Sequence, residues 1–120
     1  MARGLVLPRR LPTGFGPSRI FISPDATLKV IKPHLESADP TLFAAVRRLV
    51  KPGMKVWDIG ANLGLFGFAA AWIAGSQGRV LLVEADPWLC YLLQRWARTL
   101  AGKGYADAGV ASCAPTMLGR

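Results

Sequence analysis

The apolar positions of this chain change period along its length, and the changes mark out its elements. From Arg19 to Ile31 they alternate on both sides of Ser23-Pro24-Asp25-Ala26, which sets Ile20, Ile22, Leu28 and Val30 on one face and predicts a β-hairpin. Asp39-Pro40 then offers a helix N-cap and a first-turn proline. Leu42, Val46, Leu49 and Val50 follow at helical spacing until Lys51-Pro52-Gly53 stops the helix. A strand is predicted at about Lys55 to Ile59, and a helix over about Leu63 to Ala74 before the break at Gly75-Ser76-Gln77-Gly78. The apolar run Val80 to Val83 predicts a second buried strand. Pro87 opens a helix that carries Leu89, Leu92, Leu93 and Trp96 on one side. Val110 to Ala114 predicts a short third strand that Pro115 closes. Strands joined by helical crossovers pair in parallel, so the expected fold class is α/β: a partial Rossmann-like parallel sheet, preceded by a β-hairpin. The strand near Val56 to Ile59 is expected to be central, with the strand near Val80 to Val83 beside it.

Chemistry concentrates in Val56-Trp57-Asp58-Ile59-Gly60-Ala61-Asn62-Leu63-Gly64, where an apolar strand delivers an acid into a glycine turn. Gly60 and Gly64 lack a β-carbon, so the chain can reverse tightly and let a ligand approach the main chain. The helix that follows would aim unpaired N–H groups at that ligand. A phosphate loop or a dinucleotide fingerprint needs a different pattern: Asn62 stands where the second glycine of G-x-G-x-x-G would be, and no Lys follows Gly64. Asp58 would repel a pyrophosphate but pair with an ammonium. The amino-acid end of S-adenosylmethionine offers an ammonium for Asp58 and a carboxylate for the helix amides.

Arg79-Val80-Leu81-Leu82-Val83-Glu84 adds a second signal, a strand ending in an acid. Glu84 lies roughly 20 residues past the glycine turn, the spacing of an acid that accepts hydrogen bonds from ribose hydroxyls. The expected cofactor-binding set is Asp58, Gly60, Asn62, Gly64 and Glu84. Asp58 could instead cap nearby amides at its strand end, and Asn62 could either touch the cofactor or only tolerate a left-handed backbone. Asp86 is expected to cap the helix that Pro87 opens.

The segment Lys51-Pro52-Gly53-Met54-Lys55-Val56-Trp57-Asp58-Ile59-Gly60-Ala61-Asn62-Leu63-Gly64, with Gly78-Arg79-Val80 and Glu84-Ala85-Asp86-Pro87 downstream, resembles the class I S-adenosylmethionine-dependent methyltransferases. Within that class it is most similar to the FkbM family, through the D-x-G-A-N-x-G turn, the G-x-V strand entry and the E-x-x-P strand exit. The resemblance covers roughly Pro40 to Arg98. It implies a truncated class I methyltransferase fold, S-adenosylmethionine as cofactor, and O-methylation of a small-molecule or sugar hydroxyl. It names no catalytic base. A competing expectation is a catalytically inactive remnant or interaction partner that keeps the cofactor half-site. An NAD-binding oxidoreductase is disfavoured by Asn62 and by the acid before the turn.

Composition sets the bounds. The 120 residues suffice for one small domain, whereas a complete doubly wound sheet usually needs more, so turnover by this chain alone is not expected. An exposed sheet edge should favour self-association. At 52% hydrophobic the chain is not disordered, and its longest charge-free apolar stretch, Leu63 to Ala74, is too short to span a bilayer. The expected division is a flexible basic leader over residues 1–18, an accessory hairpin and link over 19–38, and the partial cofactor-binding domain over 39–120. The leader holds Arg3, Arg9 and Arg10, no acid and several prolines, without an apolar signal core. A transit peptide would share the basic composition, but the prolines spoil an amphipathic helix.

The formal net charge of +8 raises nucleic acid as a partner. The basic residues are spread over the leader, Arg47-Arg48, Arg79 and Arg95/Arg98 without an aromatic stacking platform, so a solvated surface is the expectation, with an anionic substrate or a membrane surface as the lesser alternative. Cys90 and Cys113 form no metal spacing; Cys90 reads as a packing residue, and a reducing cytoplasm is the expected compartment. His34 reads as a surface residue, and Trp57, Trp72, Trp88 and Trp96 as core or half-buried packing.

Overall fold

A computed structural model describes residues 6–17, 19–22 and 35–112. The chain runs β1 (Leu7–Arg10), β2 (Arg19–Ile22), α1 (Leu35–Ala38), α2 (Pro40–Leu49), β3 (Lys55–Ile59), α3 (Leu65–Ala74), β4 (Arg79–Glu84), α4 (Pro87–Leu100) and β5 (Asp107–Ser112). The fold is mixed α/β, with an antiparallel β1–β2 ribbon and a parallel sheet of order β3-β4-β5.

Local chemistry sets the element ends. Asp39 accepts a hydrogen bond from the Leu42 N–H (3.2 Å), Pro40 occupies the first turn, and Arg47 and Arg48 sit in the last turn of α2, where cations complement the helix dipole. Asp86 accepts from the Trp88 N–H (2.8 Å) and caps α4 in the same way. Between α2 and β3 the chain turns at Gly53, whose φ of 82° suits glycine, and the Gly53 N–H donates to the Ala74 carbonyl at the end of α3 (2.8 Å).

The sheet differs from the expected order. β4 is central, paired with β3 from Lys55↔Arg79 to Ile59↔Val83 and with β5 from Arg79↔Asp107 to Glu84↔Ser112. Among the described residues β3 is therefore an edge. The third strand begins earlier than the Val110 to Ala114 expectation. Its start is fixed from outside, since the Ala106 N–H donates to the Ala71 carbonyl (2.8 Å) and the Tyr105 hydroxyl donates to the Phe15 carbonyl (3.3 Å). Ladder pairing then outweighs the poor strand propensity of Asp, Ala and Gly.

The segment read as a flexible leader is also corrected. Leu7–Arg10 pairs antiparallel with Arg19–Ile22, while Leu11 and Phe15 between them are buried. Burial of Phe15 against Phe43 of α2 (ring centroids 5.5 Å) and stacking of Phe21 on Trp96 of α4 (4.1 Å) hold the ribbon to the domain. Pro8 is tolerated because a two-stranded ribbon has a free side at every strand. The expected turn at Ser23-Pro24-Asp25-Ala26, with Leu28 and Val30, lies outside the described residues, as does His34.

The core is one-sided with respect to the sheet. Val80, Leu82 and Glu84 are buried, and α3 and α4 pack with them into a single cluster that includes Phe68, Leu92, Leu93 and Trp96. On the other face Trp57 and Ile59 are 73% and 67% exposed, beside half-buried Leu81 and Val83. Trp57 is thus not a packing residue among the described elements, because nothing there covers its face. Parallel sheets are normally covered on both faces.

Candidate functional site

The expected site residues gather at the carboxyl ends of β3 and β4. Leaving β3, the chain turns through Gly60 (φ 75°), Asn62 (φ 56°) and Gly64 (φ 84°), all left-handed. The turn is tied to the neighbouring strand, since the Gly60 and Ala61 N–H groups both donate to the Val83 carbonyl (2.8 and 2.9 Å). A β-carbon on Gly60 would meet nothing within 4 Å, so that position is open as well as strained for other residues. On Gly64 the same atom would fall 2.5 Å from Phe68 and 2.7 Å from Leu93, so this glycine is required by packing too.

Glu84 is buried and holds the turn from the other side. Oε1 accepts the Asn62 N–H (2.8 Å), and Oε2 accepts the Ala85 and Asp86 N–H groups (2.8 Å each). An ionised carboxylate has about four acceptor positions. Three are used by backbone, which leaves one on Oε1 for a hydroxyl donor. The Asn62 side chain is exposed, so its contribution among the described contacts is its N–H and its left-handed backbone.

Asp58 points to the covered side of the sheet, toward the first turn of α3. Its Oδ2 is buried without a hydrogen-bond partner. Burial raises the Asp58 pKa above the ordinary carboxylate range, the Gly67 amide works in the opposite direction, and the charge of Glu84 adds to the rise.

Gly67 is the residue that the sequence reading missed. A β-carbon there would lie 2.1 Å from Leu82 Cδ2 and 3.0 Å from Asp58 Oδ2. Glycine lets α3 lie close on β4 and brings a backbone amide to Asp58. The signal was a lone glycine inside an otherwise apolar helix, a position that costs helix stability and so needs a reason.

The start of α3 completes the site. α2 and α4 begin on aspartates whose side chains bond first-turn amides, whereas α3 begins on Gly64, with no side-chain cap. The first-turn N–H groups of α3 have no partner within the helix and are left for other acceptors. The arrangement can therefore take a cation at Asp58, an anion at the α3 amides and a hydroxyl at Glu84. A phosphate would meet two carboxylates. Trp88 lies half-buried beside Tyr91 (ring centroids 5.7 Å), and Cys90 is buried, with its thiol donating to the Glu84 carbonyl (3.2 Å).

Among solved structures, the chain is similar to a protein-L-isoaspartate O-methyltransferase, with a TM-score of 0.54 and 19% sequence identity over 92% of this chain and 29% of that one. The fold is methyltransferase-like. The chain spans under a third of the length of that protein. No protein-family model and no curated protein matches the chain. The methyltransferase-like fold has its parallel sheet and preceding antiparallel ribbon in common with the expectation from sequence. Among the described residues no helix is long and apolar enough to cross a membrane.

Proposed function

We propose that this domain binds S-adenosylmethionine and serves methyl transfer to a hydroxyl oxygen of a small molecule or sugar. The observation that carries the reading is the buried, unpartnered Oδ2 of Asp58 beside uncapped amides of α3, a pairing of an anionic and a cationic site that matches the two ends of an amino acid. The residues present fit the cofactor: Asp58 would hold its ammonium, the first-turn amides of α3 its carboxylate, and Glu84 Oε1 a ribose hydroxyl. Bound there, the cofactor supplies a sulfonium-activated methyl group and its own leaving group. What remains for the protein is alignment of the acceptor and exclusion of water, which is why no strongly basic side chain is required at the turn. The hydroxyl acceptor rests on the FkbM resemblance of the D-x-G-A-N-x-G turn. A cytoplasmic setting rests on the cysteine usage, Cys90 being a buried thiol in no disulfide.

A second reading, an interaction partner that keeps the cofactor site without catalysis, is favoured by the uncovered sheet face at Trp57 and Ile59. Titration calorimetry with S-adenosylmethionine, S-adenosylhomocysteine and NAD, followed by a methyl-transfer assay with radiolabelled cofactor and a panel of hydroxyl acceptors, tests both. Binding with transfer supports the first reading and binding without transfer the second. Preferential binding of NAD defeats both.

A further inference from the structure

A second cleft lies away from the strand ends. It has a volume of about 660 Å³ and opens where the β1–β2 ribbon meets α1 and α2. Among the described residues that line it are Arg9, Arg10, Arg19 and Arg47, with Glu36 as the one acid of that set. Part of the basic charge that looks scattered in the sequence is thus brought together by the ribbon, which carries Arg9, Arg10 and Arg19 to Arg47 of α2.

We infer that this cleft is a binding site for a small organic molecule bearing a phosphoryl group. The first support is an arrangement that is unfavourable without an anion. Arg10 and Arg19 are directly opposite each other in the β1–β2 register, and like charges at such positions destabilise an antiparallel pair. Both are exposed at the cleft, and Glu36 is already engaged by Arg47 in a two-pronged ion pair. That pair, with the Arg47 guanidinium also 4.8 Å over the Phe15 ring, fixes one wall. Arg9 donates to the Pro8 carbonyl (2.9 Å), which anchors its guanidinium at the cleft.

Size and lining narrow the ligand. A cleft of this volume is in the range of small-molecule sites and larger than a free phosphate needs. Leu11 and Pro12 give it an apolar wall for a carbon skeleton, while planar guanidinium groups suit phosphate oxygens two at a time. A nucleic acid would call for a basic track with aromatic platforms, and the arginines converge on one concavity instead. The inference is independent of the methyltransferase reading, since none of the cleft residues belongs to the Asp58 and Glu84 site.

Calorimetry with glucose 6-phosphate, inorganic pyrophosphate and unphosphorylated glucose tests it, on the wild type, Arg10→Gln/Arg19→Gln and Arg19→Glu. The expected result is binding of the two phosphorylated probes, none of glucose, and an affinity at least about tenfold lower in the double variant. Arg19→Glu should abolish binding while raising Tm, because it turns the repulsive cross-strand pair into an attractive one. The rise in Tm shows that the loss of binding is not a loss of fold. Absence of binding by both phosphorylated probes, equal affinity in the double variant, or capture of single-stranded RNA or anionic vesicles that the probes do not compete away would overturn the inference.

Discussion

Replacing Glu84 by Gln keeps the shape of the side chain and removes its charge, which separates two roles that the site assigns to it. In the folded protein the carboxylate accepts three backbone N–H groups, from Asn62, Ala85 and Asp86, each at 2.8 Å. A carboxamide can turn its oxygen toward only one side. Facing Ala85 and Asp86 keeps two bonds, now neutral and about half as strong, and sets an NH2 group against the Asn62 N–H. Loss of one charge-assisted bond costs about 1.5–3 kcal/mol and halving the other two adds about as much again, so a total of roughly 3–6 kcal/mol is expected. Water reaching the Asn62 amide, which belongs to an exposed residue, holds the value toward the lower end. At roughly 4 °C per kcal/mol for a domain of this size, Tm should fall by roughly 12–24 °C. Thermal unfolding by circular dichroism without ligand measures this, and hydrogen exchange at Asn62 should quicken in parallel. An unchanged Tm with unchanged Asn62 exchange would refute the reasoning, leaving Glu84 to act on a ligand only.

Asp58→Asn should stabilise the protein above the ordinary carboxylate range and weaken S-adenosylmethionine binding. Because burial raises the Asp58 pKa, the folded state holds this proton more tightly than the unfolded chain. Its contribution to stability is present below the unfolded pKa and is lost as pH rises through the window up to the folded value. The difference between wild-type and Asp58→Asn unfolding curves across pH isolates it, and a difference that does not change with pH would contradict the assignment. Gly67→Ala should destabilise by about 1–2 kcal/mol in urea unfolding, the overpacking against Leu82 being partly offset by the better helix propensity of Ala; a gain in stability would show that α3 is not in tight contact with β4. The chain should self-associate through β3, an edge among the described residues whose own Trp57 and Ile59 are exposed, and Trp57→Lys should return it toward monomer in sedimentation velocity. A wild type that is monomeric at high concentration would count against this.

Much of the fold is legible in the sequence because it is set locally. The aspartates before Pro40 and Pro87 announce α2 and α4, and the apolar runs separated by glycine breaks give β3, α3 and β4. The turn at Gly60 to Gly64 is also local, its left-handed residues being two glycines and an asparagine. What the sequence hides is tertiary. Pro8 and the arginines around it read as a leader, and only the burial of Phe15 and Ile20 by distant helices makes a strand of Leu7–Arg10. Trp57 and Ile59 look like core residues because strand periodicity says nothing about whether a second layer covers a face. Glu84 reads as a ligand for ribose, whereas its first partners are backbone amides that no spacing reveals. The arginine cleft draws its residues from four separate segments and is invisible until they meet.

We propose that an amino-acid-bearing nucleoside cofactor is held between the Asp58 turn, the first turn of α3 and Glu84. Amide chemical-shift mapping of the labelled protein with S-adenosylhomocysteine measures this most directly. The account predicts that the shifts concentrate at Gly60, Asn62 and the first-turn amides of α3, Leu65 to Gly67, and vanish in Asp58→Asn. Shifts confined to the arginine cleft, or a map centred elsewhere with the α3 amides unmoved, would contradict it.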